Sequence, residues 1–239
     1  MNLVLLSPGE LDGERALLRG PRAAHILEVH RAEPGRQLRV GVVGGRMGRA
    51  VVAAASGRGN EALVELRVGA LEDDPPLPSP VTLLLAMPRP KVLRRVLGLV
   101  ASAGIKRVIL FGAARVEKSY WQSPLAAPEA MREALLLGLE QGRDTVVPVV
   151  EQRRLFRPFV EDEGPQMASA ATALLAHPSA DAGCPRAPSG PVVLAVGPEG
   201  GFVEFERSLF AAAGFTLASL GPRPLRVEHA VAVLLGRLS

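Results

Sequence analysis

Two stretches near the C-terminus have the residue types and spacing of a small-molecule site. The first is Gly197-Pro198-Glu199-Gly200-Gly201-Phe202, which leaves an apolar run and enters a segment of helical pattern. Glycines in such a turn let the backbone approach a ligand closely and take up positive φ. Amides at a helix start can then donate to polar ligand atoms. The spacing is neither G-x-G-x-x-G nor a Walker A loop, since no Lys-Ser/Thr pair follows, and a plain strand-to-helix turn could use the same residues. The second stretch is Ser219-Leu220-Gly221-Pro222-Arg223-Pro224-Leu225-Arg226-Val227-Glu228-His229-Ala230. Its prolines fix the backbone between a strand and the last helix. Glu228 in a first helical turn suits the helix dipole. Arg226, beside a glycine-rich crevice at strand ends, suits an anionic or π-rich partner.

The elements that hold these turns follow from the apolar periodicity. After residue 80 the chain alternates strand and helix. Strands are expected at 81–87, 106–112, 145–150, 192–197 and 216–220, and residues 170–176 fit strand or helix. Val92, Val96 and Val100, widened by Leu93, Leu97 and Leu99, mark a helix stopped by Gly104. Further helices are expected at 128–141, 203–213 and 228–238, and a Pro/Gly loop at 177–191. Such a βαβ order implies an α/β domain whose parallel sheet has helices on both faces.

Before residue 70 the pattern changes. Runs at 36–43 and 49–54 read as strands joined by a Gly44-Gly45 turn, and 61–68 alternates as a strand. His25–His30 reads as a short helix. A domain of short strands suggests a small barrel. The acidic, proline-rich stretch 71–80 separates a 1–70 domain from an 81–239 domain.

Composition narrows the class. The 239 residues are 48% hydrophobic, enough for a real core. Formal net charge is +4 and the pI about 9.9. The basic residues are Arg apart from Lys91, Lys106 and Lys118. A GC-rich genome would favour Arg in the same way, and a basic pI points only weakly to nucleic acid. The one cysteine, Cys184, excludes an intrachain disulfide and suits a reducing compartment. MNLVLLSPGE lacks the basic region of a signal peptide, and no apolar stretch approaches bilayer length. A cytoplasmic protein without membrane association is the expectation. Four scattered histidines and one cysteine give no metal spacing, so no metal is expected.

Taken together, GPEGGF, the helix ending AAAGF and SLGPRPLRVEHA resemble the C-terminal signature of the RsmE family of the SPOUT superfamily. The likeness runs along the chain. MNLVLLSPGEL resembles that family's opening, and HILEVHRAEPGRQLRV (25–40) its PUA-like barrel. MPRPK (87–91), EKSYWQSP (117–124) and LEQGRD (139–144) resemble its central blocks. The resemblance implies a SPOUT-type trefoil-knotted C-terminal domain, a small N-terminal PUA-like β-barrel and a homodimer. It implies S-adenosyl-L-methionine (SAM) as cofactor and methylation of uridine N3 in 16S ribosomal RNA of the small subunit. The cofactor residues it implies are Ala195, Gly197, Pro198, Glu199, Gly200, Gly201, Leu220, Gly221, Leu225 and Arg226. Arg226 and Glu228 would be catalytic. Arg226 would favour the anion developing on the base, and Glu228 would accept a proton or orient Arg226. Arg15, Arg19, Arg22, His25 and Arg31 would contact RNA.

This sequence departs from the family pattern at several places. Val227 and His229 stand where similar sequences carry Thr, Ala101-Ser102-Ala103-Gly104 replaces Thr-Glu-Leu-Gly, and Val203 replaces a Ser/Thr cap. A SPOUT enzyme with another target, such as a ribose 2′-hydroxyl, and a non-catalytic RNA-binding assembly factor are the rival readings. His177 reads as an ordinary loop residue and Arg143 as a helix-end cation that the resemblance places nearer the active site. Tyr120 and Trp121 read as packing residues or as a platform for a base.

Overall fold

In the computed structural model, residues 2–30, 32–178 and 183–238 are described. Two units separate by their internal contacts. One comprises Met1–Leu77 with Leu136–Val147, the other Pro78–Leu135 with Pro148–Ser239.

The N-terminal unit is a six-stranded sheet. Its strands are β1 (Val4–Leu6), β2 (Leu11–Asp12), β3 (Arg15–Arg19), β4 (Gln37–Val42), β5 (Met47–Ser56) and β6 (Leu63–Val68), in the order β1-β4-β5-β6-β3-β2. Helix α1 (Gly20–His30) follows β3. It starts earlier than the apolar pattern suggests, because Gly20 takes φ +61° and Pro21 is tolerated in a first turn. Strand alternation sends Ala16, Leu18, Leu38, Val40, Ala50, Val52, Leu66 and Val68 to one buried face, where Ala23 and Ile26 of α1 join them. β1 and β3 were not expected. Three residues in one and a five-residue alternation in the other are too short to stand out as patterns.

The C-terminal unit is a six-stranded parallel sheet in the order β12-β10-β11-β7-β8-β9. Its elements are β7 (Val81–Ala86), α2 (Pro90–Ser102), β8 (Arg107–Phe111), α3 (Pro128–Gly142), β9 (Val149–Arg153), α4 (Phe156–Ser169), β10 (Thr172–Ala176), β11 (Val192–Val196), α5 (Glu204–Ala212), β12 (Thr216–Ala218) and α6 (Val227–Leu238). The last turns of α3 belong to the N-terminal unit. The sheet is buried on both sides. Leu84, Ala86, Ile109, Phe111, Leu175 and Val193 face α4 and α5. The alternate residues Leu83, Leu85, Val108, Leu110 and Leu194 are fully buried as well. α6 meets β11 and α2.

Aromatic packing holds the first of these faces. Phe111 lies 5.4 Å from Phe159 and 6.2 Å, nearly parallel, from Phe202, while Phe210 sets its edge on Phe111, Phe156, Phe202 and Phe215. Such rings contribute about 0.5–1.5 kcal/mol per pair beyond their burial.

Two departures from expectation have local causes. β9 begins at Val149, not 145, because Thr145 Oγ1 donates to Gly45 O at 2.6 Å and Pro148 has no N–H for a ladder. α4 was not expected because Pro165 interrupts its helical pattern. Gly164 at that point lets α4 approach α5, since a Cβ there would stand 3.0 Å from that of Ala213. Among the described residues no helix is long and apolar enough to cross a membrane.

Glu140, near the end of α3, is buried in the N-terminal unit and accepts Leu5 N at 3.3 Å. Burial pushes its carboxyl above the ordinary range, against the opposing pull of Leu5 N–H and Arg22. A carboxyl whose pKa is raised by folding favours the folded state when protonated, and that contribution is lost as pH rises through the folded pKa. Glu140→Gln should therefore be more stable than the parent at neutral pH, with the gap closing below about pH 4. Denaturant midpoints measured across pH check this.

Candidate active site

The turn after β11 is shaped by the residue that ends it. Phe202 sits in the aromatic core, and a Cβ on Gly197 would lie 3.1 Å from its ring. Glycine is thus the side chain the packing accepts most easily at 197. Gly201 takes φ +71°, with Gly201 N donating to Pro198 O at 2.8 Å, so the turn closes tightly. On its outer side Arg115 donates to Gly200 O. Glu199 Oε1 accepts Arg89 N at 3.0 Å.

One buried carboxylate joins this turn to the loop after β8. Glu206, in the first turn of α5, accepts Val203 N at 2.9 Å through Oε2 and Ala114 N at 2.6 Å through Oε1. It is 2% exposed. Glu206 thus supplies the half of a capping box in which the third helical residue accepts the amide of the N-cap residue, here Val203, whose own side chain has no group to make the other half. Glu206 was not among the expected site residues. The available signal was a Glu three residues after the helix boundary.

The second turn is organised around Ser219, whose hydroxyl accepts Gly221 N at 3.0 Å and donates to Pro178 O at 3.2 Å. Gly221 takes φ +111°. Both turns border one cavity of about 350 Å³ at the carboxyl ends of β10, β11 and β12. Chain order reverses at this part of the sheet, because β11 inserts between β10 and β7. Open α/β sheets bind ligands at such a switch point. The volume lies within the usual range for small-molecule sites. The walls are apolar at Val196, Phe202, Leu220, Leu225, Val227 and Leu234, with Arg115 and Arg223 at hand.

Of the cofactor residues implied by the resemblance, Gly197, Pro198, Glu199, Gly200, Gly201, Leu220, Gly221 and Leu225 line this cavity. Ala195 lies inside β11, fully buried, and is not part of the lining. Arg226 is exposed between the lining residues Leu225 and Val227, and its carbonyl accepts Ala230 N at 2.8 Å. Glu228 Oε1 accepts Arg95 at 3.3 Å, so its hydrogen-bonded partner is Arg95 and not Arg226. Its own backbone amide, then Arg95, hold the Glu228 carboxyl below the ordinary range.

His177, expected to be an ordinary loop residue, lines the cavity directly after β10, where burial lowers its pKa. Arg143 belongs to the N-terminal unit and does not line the cavity. Tyr120 donates to Glu117 Oε1 at 2.9 Å, and the Arg154 guanidinium lies 5.6 Å over Trp121.

The N-terminal candidates have varied surroundings. Arg15 is bonded to Glu65, and Arg22 to Glu10 and Leu5 O. Arg19 and His25 are exposed. Arg31 lies outside the described residues.

A parallel α/β sheet with glycine turns gathered at its switch point is the architecture of an enzyme that holds a nucleoside-type cofactor. Residues 75–239 match the family described as RNA methyltransferase domain. The ribosomal RNA small subunit methyltransferase E of Treponema pallidum is 32% identical over 236 residues, covering 96% of this chain and 87% of that protein. The protein of the same name from Mycobacterium bovis is 30% identical over 229 residues, covering 94% and 86%. The chain belongs to the RNA methyltransferase family, and within it to the group of ribosomal RNA small subunit methyltransferase E. Solved structures share the fold. A methyltransferase from Legionella pneumophila in complex with SAM has a TM-score of 0.75 at 23% identity, covering 99% of this chain and 96% of that one. The ribosomal RNA small subunit methyltransferase E of Neisseria gonorrhoeae bound to SAM has a TM-score of 0.70 at 23% identity, covering 98% and 95%.

Replacing Glu206 by Ala leaves two inward-facing amides without a partner. Bonds to a charged group are worth about 1.5–3 kcal/mol each, so Glu206→Ala should cost about 3 kcal/mol of unfolding free energy or more. Glu206→Gln, which keeps one acceptor, should cost about half as much. Urea titrations of the three proteins test the order.

Proposed function

We propose that this chain is a SAM-dependent methyltransferase that modifies N3 of a uridine in 16S ribosomal RNA of the small subunit. The observation that carries the reading is the convergence of residues 197–201 and 220–225 on one cavity. The residues fit the cofactor. Gly201 and Gly221 border the cavity with positive φ, and nothing stands within 4 Å of where a Cβ would be. Backbone groups of both turns would hold the adenine and the methionine part against the apolar walls, and Arg223 suits a carboxylate. When bound, SAM supplies an already activated methyl group.

The chain's own residues then place the base. Alignment of nucleophile and methyl in a near-attack geometry supplies much of the rate. Uridine N3 carries a proton that must leave before or during attack. Arg226, at the cavity's edge, favours the anion that develops. Glu228 is ionised throughout the neutral range. A carboxylate below its ordinary range is a poorer proton acceptor than a free one, and its bond to Arg95 suits it to balance charge beside Arg226.

The same reading takes the two turns as loops of a trefoil knot. The return of α6 to β11, after the chain has reached the sheet edge at β12, supports it. It takes the N-terminal unit as a PUA-like barrel that grips RNA, with exposed Arg19 and His25 among its contacts. It also takes the working enzyme as a homodimer, for which exposed Phe205, Leu225 and Val233 offer apolar surface.

The test is methyl transfer from SAM to unmodified small subunits, with mass spectrometry of the product nucleosides. N3-methyluridine is expected. A ribose 2′-O-methyl product would reassign the target, and no cofactor heat in calorimetry would leave an RNA-binding factor. Arg226→Ala should lower kcat about 100-fold, the scale for removing one transition-state donor, with circular dichroism unchanged. Undiminished turnover would remove Arg226 from the chemistry.

A further inference from the structure

The outward face of the N-terminal sheet carries an arrangement that its own stability does not explain. Arg39 on β4 stands directly opposite Arg49 on β5, and Arg15 on β3 directly opposite Arg67 on β6. Directly opposed residues of antiparallel strands project to one side with Cβ atoms about 4.5–5.5 Å apart, and like charges in that relation destabilise the sheet. The two pairs are neighbours, because Arg67 is also the register partner of Val51, two residues along β5 from Arg49. All four arginines are exposed.

Carboxylates on this face gather at one end. Glu65 bonds Arg15, and Asp12 lies within Coulombic reach of it. Arg39 and Arg67 have no hydrogen-bond or ion-pair partner among the described residues, and Arg49 has only Gln37 Oε1 at 3.4 Å. Beyond Arg39 the strip opens into a cleft of about 240 Å³, where Arg36 and Arg143 join Arg39 beside Asn2. Arg143 takes φ +55°, a strained conformation for a non-glycine residue. A cation at the end of α3 suits the helix dipole, but that does not account for the arginines on the strands.

From β4 to β3 the strip crosses three strand spacings, about 14 Å. That is room for more than one phosphate of a nucleic-acid chain. Guanidinium forks match phosphate oxygens, and repulsion among them is relieved when an anion lies between them. We infer that Arg36, Arg39, Arg49, Arg67 and Arg143 form a binding strip for the sugar–phosphate backbone of RNA. The inference rests on the proposed RNA substrate and names the face of the barrel that holds it. It shifts the weight of RNA contact from Arg15 and Arg22, which are bonded to Glu65 and Glu10, to arginines without a carboxylate partner.

The experiment uses the full chain, 16S ribosomal RNA transcribed in vitro and a salt series. The variants are Arg39→Gln, Arg49→Gln, Arg67→Gln and their combination, with Arg157→Gln on α4 as a control for net charge. Each strip variant should reduce the slope of log affinity against log salt by about 0.7–0.9, and the triple variant by about 2–3. The control should leave the slope unchanged. Because the opposed pairs burden the free protein, the triple variant should melt no lower than the parent, and its SAM affinity by calorimetry should be the parent's. Arg→Lys at the same three positions should restore the slope. A parental slope in the triple variant, while RNA still binds, would overturn the strip and leave the RNA reading standing. So would a lost slope that the Lys variants fail to restore. Absence of RNA binding by the parent would overturn the wider reading.

Discussion

The C-terminal site depends on a carboxylate that does not line its cavity. Glu206 sits in the first turn of α5 and accepts one amide from its own helix start and one from the loop after β8. Those two loops come from distant parts of the chain. Without a shared acceptor, each would bring an inward-facing N–H with no partner. With it, the Gly197–Gly201 turn has a fixed floor, and Phe202 can set its ring against both Phe111 and Phe210. The cavity is then bordered by backbone that is already ordered, so a ligand has little left to immobilise. Arg115, from the same β8 loop, completes the clamp by donating to Gly200 O.

How much of this was legible in the sequence depended on whether a residue's role is local. The glycine turns were legible because a strand end, a positive φ and a helix start lie within a few residues, and composition reports all of them. The parallel sheet was legible because β7, β8 and β11 are apolar apart from Thr82 and Arg107, as strands covered on both faces tend to be. α4 was hidden because tertiary packing overrides the preference of Gly164 and Pro165. β9 was displaced because Thr145 is committed to Gly45. Phe202 looked like any apolar residue after a turn, and its stacking on Phe111 exists only in three dimensions. Arg115 and His177 reach the cavity from β8 and β10, and local spacing carries no trace of that convergence. Glu228 could be placed at the helix start from its position, but its bond to Arg95 depends on α2 and α6 coming together.

The two units differ in how fully their strand charges are matched, although Arg15, Arg22 and Arg46 of the N-terminal unit have carboxylate partners. In the C-terminal unit the charged groups of β8, β9 and α4 are matched. Arg153 bonds Glu163 and Glu151, and Glu151 also accepts Arg107. Through Glu151, Arg107 ties β8 to the edge strand β9, and through Glu163, Arg153 ties β9 to α4. In the N-terminal sheet the alternation of apolar and polar residues is as regular, yet arginines face arginines. A sheet selected for stability alone would set Glu or Thr opposite Arg39 and Arg67, since opposite-charge pairs contribute about 0.2–1 kcal/mol. Unmatched charge of this kind is the feature on which the inferred binding strip rests.

That division also explains why the departures at Val227 and His229 need not disturb the cofactor site. The cavity is bordered mainly by backbone and apolar surface, so SAM retention depends on φ angles and on the packing of Phe202 rather than on hydroxyl groups. Val227 is buried among the lining residues and keeps the wall apolar. His229 is exposed one residue beyond Glu228, on the outer side of the helix start. A change there leaves the lining of the cavity as it is. The backbone cradle can then stay as it is while residues at its rim differ from the family pattern.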